Sequence, residues 1–406
     1  MRPCRGFPRT LAPTTIIDAD THLIETRSLW ADHLDAAHRH LAMRIEDDDL
    51  GWSWLTAPDG RRIHLAEAHT PGDIASMGER RARQRRGLPP ESRFGDELPP
   101  YDHDPAARLG KMDEFGIDEA VVFPNFGLFW VRSLEPHPDA QLANMQAWNR
   151  WAVEGIAPAG QGRLHPVGQV SLRDPQWLES ELAALARGGV AAAMVPIGPV
   201  DGRAFSHPGL DRCWSAFEDH GVAAVFHIHD APRPFDDAWY EADANPIEPM
   251  LMSTFISVTP MLALTDMAVG GVFDRHPRLR VGLVEFTSAW LVPFLRMVDV
   301  TYRFHGDYNG LRADRLPLAP SEYIRRQVRA ATFGFEHPAE LSEQLGDVLM
   351  FGSDWPHAEG LARPLEDFTR AGGPSPGAAS DGLYRGNAAW LLGAVGAVGA
   401  VGARGA

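Results

Sequence analysis

Lysine is almost missing from this chain of 406 residues: of 38 basic side chains only Lys111 is a lysine. Schiff-base aldolases, pyridoxal-phosphate enzymes and P-loop ATPases each need a lysine at a defined place. Lys111 falls inside a predicted surface helix, so those classes are excluded. Cysteine is nearly as scarce. Cys4 and Cys213 alone cannot build a disulfide framework or an all-cysteine zinc site, and they point to a reducing, cytoplasmic setting. No run approaches the roughly 18 apolar residues of a membrane span, and Met1 to Pro13 lacks the apolar core of a signal peptide. Neither a G-x-S-x-G elbow nor a G-x-G-x-x-G after a strand occurs, which removes the commonest serine hydrolase and dinucleotide-binding designs. Positive charge is also short, with 38 Lys+Arg against 54 Asp+Glu and a formal charge of −16. Such a surface repels phosphate backbones and anionic membranes, so the expected partner is a small molecule.

What the chain does contain is an alternation of short apolar runs with helical patterns, the mark of a parallel sheet with crossover helices. Strands are expected near 15–19, 119–123, 164–171, 190–196, 222–227, 280–285, 329–333 and 348–352. Eight of them imply an α/β fold, a closed (β/α)8 TIM barrel. Asp104-Pro105 and Asp174-Pro175 each supply an N-cap and a first-turn proline, and Gly116 and Gly221 stop the helices that end before them. The barrel domain is expected over 14–392, between a flexible segment 1–13 and a disordered Gly/Ala/Val tail 393–406. Two stretches break the alternation: 42–100 after the first strand and 232–268 after the fifth. Both are read as insertions at the barrel mouth.

Residues suited to chemistry sit where apolar strands end. Asp18-Ala19-Asp20-Thr21-His22 places Asp20 and His22 two apart, on one side of an extended chain, where a carboxylate and an imidazole can share a metal. Val225-Phe226-His227-Ile228-His229-Asp230 repeats the idea at the fifth strand. Gly352-Ser353-Asp354 ends the eighth strand, which barrel closure brings beside the first. Glu285 ends the sixth. Each alone has an ordinary structural reading as a cap or a satisfied buried polar group; among 17 histidines, His33, His38, His40, His64 and His69 are read as surface or capping residues. Four strand ends together carry more weight than any one.

As a set these motifs resemble the amidohydrolase-related superfamily, in the branch of aminocarboxymuconate-semialdehyde decarboxylase and related aromatic acid decarboxylases. The resemblance runs from about Ile16 to Asn387, through Asp18-Ala-Asp-Thr-His22, Lys111-Met-Asp-Glu-Phe-Gly-Ile117, Gly271-Val-Phe-Asp-Arg-His-Pro-Arg-Leu279 and Gly352-Ser-Asp-Trp-Pro-His357. It implies one divalent metal held by Asp20, His22, His227 and Asp354, with zinc first and manganese or iron(II) as alternatives. Two departures stand out: Asp20-x-His22 replaces His-x-His, and Glu285 replaces the histidine many members carry after strand six. No lysine lies near 190–197, where binuclear members bridge two metals, so a mononuclear centre is expected.

The implied reaction is non-oxidative decarboxylation of a small aromatic or unsaturated acid, with Glu285, His227 and Asp354 as catalytic residues. Arg233 and His357 are the candidate substrate contacts, and the role of His229 stays open. Hydrolysis of an amide, ester or lactone is the alternative, and a non-catalytic binding barrel a third. The apolar stretch from Met250 to Met261 is a candidate homodimer interface.

Overall fold

A computed structural model describes residues 15–95, 98–228, 235–240, 247–306, 308 and 315–393. Eight parallel strands among them form one sheet in sequential order: Ile17–Leu23, Glu119–Pro124, Leu164–Gln169, Ala192–Met194, Ala223–His227, Val281–Val284, Val328–Thr332 and Leu349–Phe351. They are numbered one to eight below. The sheet closes on itself through a parallel bridge between Thr21 and Trp355, with His22 N donating to Trp355 O at 2.9 Å and Asp354 N to Asp20 O at 2.8 Å. This is the expected (β/α)8 barrel. Strand one is longer than its apolar run suggested, because its backbone keeps pairing through the polar motif as far as Leu23 opposite Pro124.

The connecting helices form for local reasons visible in the chain. Asp104 caps Pro105–Phe115 by accepting from Ala106 N, and Gly116 closes it in the left-handed region at φ 73°. Asp174 does the same for Pro175–Arg187, accepting from Gln176 N and Trp177 N. Apolar side chains pack in two shells. Ile17, Ala19, Val121, Val167, Met194, Val225 and Met350 fill the barrel, while a larger cluster, including Leu182, Trp214 and Phe226, packs the strands against the helices. A third cluster joins Trp30, Ile45, Leu55 and Phe94 to Trp130 and Met145.

That third cluster underlies the stretch after strand one. It carries a three-stranded antiparallel sheet, Arg44–Asp47, Ser53–Thr56 and Arg62–Leu65, followed by the helix Ile74–Arg85. Within 232–268 the described residues include the helices Glu248–Thr254 and Val258–Val269. Together Pro249–Val269 reach the length and composition of a membrane span, with mean hydropathy 1.3, contrary to the reading that no stretch comes close. Dispersed Ser, Thr and Pro hid this in the sequence. Ala263, Leu264, Met267 and Ala268 are buried in the core, whereas Met250, Met252, Phe255 and Leu262 are exposed. The terminal segments 1–13 and 394–406, and the candidates His229 and Arg233, lie outside the described residues.

Candidate metal centre

Strand one delivers its two donors by an irregularity. Ile17 and Ala19 point into the barrel, and strict alternation would then turn Asp20 and His22 away from it. The pairing with strand two shifts register between Asp18 and Thr21, so the inner side passes on to Asp20 and His22. His227, following Ala223 and Val225 at alternate positions, leaves strand five on the inner side without such help. Asp354 and Glu285 lie just past their strands, both in the left-handed region, at φ 56° and 62°. A non-glycine residue there costs about 1–2 kcal/mol, a strain that accompanies functional positions. Gly352 permits the closure: a Cβ on it would stand 2.9 Å from the Asp20 Cβ.

The five side chains converge. His22 Nε2 lies 3.4 Å from Asp20 Oδ1 and 3.4 Å from Asp354 Oδ1. His227 Nε2 lies 3.6 Å from Asp20 Oδ1 and 3.5 Å from Glu285 Oε2. Each residue is buried, Glu285 being the most exposed at 9%. Asp20 Oδ1, His22 Nε2, His227 Nε2, Glu285 Oε2 and Asp354 Oδ2 all lack a hydrogen-bond partner. Burying one such group unpaired is costly, and five around one point are not explained by chance. The donors fall into two groups that share His22, one with Asp20 and His227 and one with Glu285, Asp354 and His357, and imidazoles with carboxylates suit a divalent cation.

The opposite edge of each imidazole strengthens this reading. His22 Nδ1 faces Pro124 O at 3.1 Å and His227 Nδ1 faces Ile228 O at 2.8 Å. A carbonyl accepts only from N–H, so whenever either ring is neutral its Nε2 lone pair faces the centre. The electrostatics agree. Burial disfavours the charged form of His22, yet Asp20 and Asp354 outweigh it and lift the imidazole to about 10. A pocket that holds a proton so firmly is built for positive charge. Glu285 shifts the other way for a carboxyl: burial, then the charges of Asp354 and Asp20, push it well above its ordinary value.

His357 stacks on His22, with ring centroids 4.0 Å apart. Its Nδ1 meets Asp354 Oδ1 at 2.7 Å and its Nε2 meets Asn125 Oδ1 at 2.8 Å, so both nitrogens are engaged within the protein. Three supporting residues were not singled out from the sequence. Asn125, just past strand two, orients His357. Asp18 Oδ1 accepts from Ser353 N and Asp20 N, tying strand one to strand eight beneath the donors. Arg108 donates to His22 O at 2.5 Å and to Tyr101 O at 2.6 Å, with its guanidinium 4.3 Å over the Trp355 ring. The D-x-D-x-H spacing could have flagged Asp18; nothing local marks Asn125 or Arg108. His69, read as a surface residue, instead lies edge-on to His357 at 6.1 Å between centroids. The fold of the 42–100 stretch carries it there.

A family model of the amidohydrolases matches residues 17–394, nearly the whole chain and all five donors. The chain belongs to the amidohydrolase family. It is therefore a metal-dependent enzyme, a carboxy-lyase or a hydrolase, and the side chains gathered above could hold its divalent metal. Among solved structures, an amidohydrolase from Mycobacterium avium subsp. paratuberculosis is 25% identical, with TM-score 0.73 over 94% of this chain and 100% of its own. 5-Carboxyvanillate decarboxylase from Novosphingobium aromaticivorans, bound to manganese and 4-hydroxy-3-methoxy-5-nitrobenzoic acid, is 17% identical, with TM-score 0.61 over 93% and 96%. 2,6-Dihydroxybenzoate decarboxylase from Rhizobium is 18% identical, with TM-score 0.55 over 94% and 100%. At the two lower identities the likeness carries the fold alone. No curated protein matches this amidohydrolase.

Proposed function

We propose that this amidohydrolase is a non-oxidative decarboxylase of a small aromatic or unsaturated carboxylic acid. The observation that carries the reading is a buried Glu285 carboxyl whose Oε2 has no partner and stands 3.5 Å from His227 Nε2, where burial and the charges of Asp354 and Asp20 raise its proton affinity. Decarboxylation needs a proton donor there. Likeness in fold to decarboxylases of 5-carboxyvanillate and 2,6-dihydroxybenzoate supports the choice.

Asp20, His22, His227 and Asp354 hold the divalent cation, zinc in the first instance and manganese or iron(II) as alternatives. When bound, the metal supplies Lewis-acid polarisation of substrate oxygens and offsets the two anionic ligands. Glu285 delivers its proton to the carbon that bears the carboxylate. The C–C bond then breaks, its electron pair returns to the unsaturated system, and carbon dioxide departs. His357, fixed by Asn125, keeps Asp354 oriented, and burial of the centre excludes water from competing as the proton source.

The deciding experiment incubates metal-loaded enzyme with a panel of hydroxybenzoates, carboxyvanillates and simple lactones and measures carbon dioxide. Release of one carbon dioxide per acid consumed supports the reading. Hydrolysis of lactones without carbon dioxide from any acid overturns it in favour of a hydrolase.

A further inference from the structure

A cavity of 390 Å3 lies beside the metal centre, between the 42–100 stretch, the helix Pro105–Phe115 and the loop after strand eight. None of the five donors lines it. Its walls combine Tyr101, Phe115 and Trp355 with Arg80, Arg93 and Lys111. The only lysine in the chain is here, in a protein of net charge −16. Lys111 Nζ sits 4.7 Å from the Phe115 ring centre and 5.2 Å from that of Tyr101, and pairs with Glu114 at 3.0 Å. Arg80 Nε stands 4.0 Å from buried Glu67. Glu67 and Glu114 hold these heads in place without lining the cavity themselves. The one acid on the wall, Asp102, is buried and raised to about 6 by that burial, against the charges of Arg108 and Lys111.

Flat apolar walls favour a planar ring, and cationic residues in the same wall favour a carboxylate on its edge. The volume suits one small ring system. We propose that this cavity is a second binding site, separate from the metal centre, for a small aromatic carboxylate. The site touches the centre through Trp355, whose carbonyl accepts from His22 N and which follows Asp354 directly. The inference rests on the cavity alone and stands whichever reaction the metal centre performs.

Calorimetric titration of 3-hydroxybenzoate tests it, with the metal centre disabled by chelation of the wild-type protein and, separately, by Asp354→Asn. Saturable one-to-one binding persists in both, and Arg80→Gln/Lys111→Gln in the chelated background weakens it at least tenfold. 3-Hydroxybenzamide, which keeps the ring and loses the charge, binds at least tenfold more weakly than the acid. Absence of saturable binding in the chelated wild type overturns the proposal, and so does equal affinity in the double variant or equal affinity for the amide. Because chelation leaves the sequence unchanged, a folding defect in Asp354→Asn does not affect the result.

Discussion

The mouth of the barrel has two unlike halves. Strands one, five, six and eight end in Asp20 and His22, His227, Glu285 and Asp354, all titratable and facing one point. Strands two, three, four and seven end in neutral groups: Asn125, Gln169, Pro196 and Thr332. The neutral polar ends are bonded within the protein, Asn125 to His357, Gln169 Nε2 to Gly127 O at 3.0 Å and Thr332 to Ser288 at 2.8 Å, although Gln169 Oε1 keeps no partner. The charged ends keep atoms unpaired. Strands one and eight adjoin at the closure and lie across the barrel from five and six, so a cation can be gripped from both sides. The difference shows that charge was placed where a ligand is to be held, and hydrogen bonds where the frame is to be kept rigid.

Breaking the charged half should have the largest effect. Asp354→Asn removes one of two anionic ligands, so metal content by mass spectrometry should fall and kcat/KM should drop by about a thousandfold or more, some 4 kcal/mol of transition-state stabilisation. Retained turnover would mean that strand eight does not serve the centre. Glu285→Gln separates holding the metal from moving a proton. Turnover should fall roughly 10²- to 10⁴-fold, the range for a lost general acid, while metal content stays near wild type. Loss of the metal as well would make Glu285 a ligand.

Crossing the boundary between the halves should cost less. Asn125→Leu leaves every donor in place and removes only the partner of His357 Nε2. Metal affinity, followed by competition with a chelator, should weaken by about 10- to 100-fold. An unchanged affinity would show that stacking on His22 suffices to orient His357.

The smallest effect concerns the stretch after strand one, where burial holds half-buried His64 at about 4 and His69 at about 3. Both are neutral when folded, whereas an exposed imidazole takes a proton below about 6.5. Unfolding therefore binds protons between about 6.5 and 4, and stability is lost as the pH falls through that window. Melting curves should show the wild type losing a few °C more than His64→Gln/His69→Gln between pH 7 and 5. Parallel losses would mean that the two rings are solvated in the folded chain.

Much of this was legible in the chain because barrel strands and their caps are local events. An apolar run of four to six residues, closed by Asp-Pro before a helix and Gly after it, specifies its element with little outside help. The candidate donors could be picked out too, since each lies at or just past the end of such a run. Less visible was whatever depended on distant packing. Strand one outlasts its apolar segment because pairing with strand two continues through polar residues. Asn125 and Arg108 carry no local mark; they matter only because the fold brings them to His357 and to the carbonyl of His22. His69 looked like a surface residue because nothing within a few positions of it reveals that a three-stranded sheet and a helix will set it against strand eight.

The sequence by itself determined the strands, the order of the barrel and the chemical types at its strand ends, since period, capping and residue type act over a few neighbouring positions. Only the tertiary structure decided how closely those groups approach one another, which nitrogen of each histidine faces them, and that burial and neighbouring charge raise the proton affinity of Glu285. These are consequences of burial and of fields from residues more than a hundred positions away, and no local pattern encodes them.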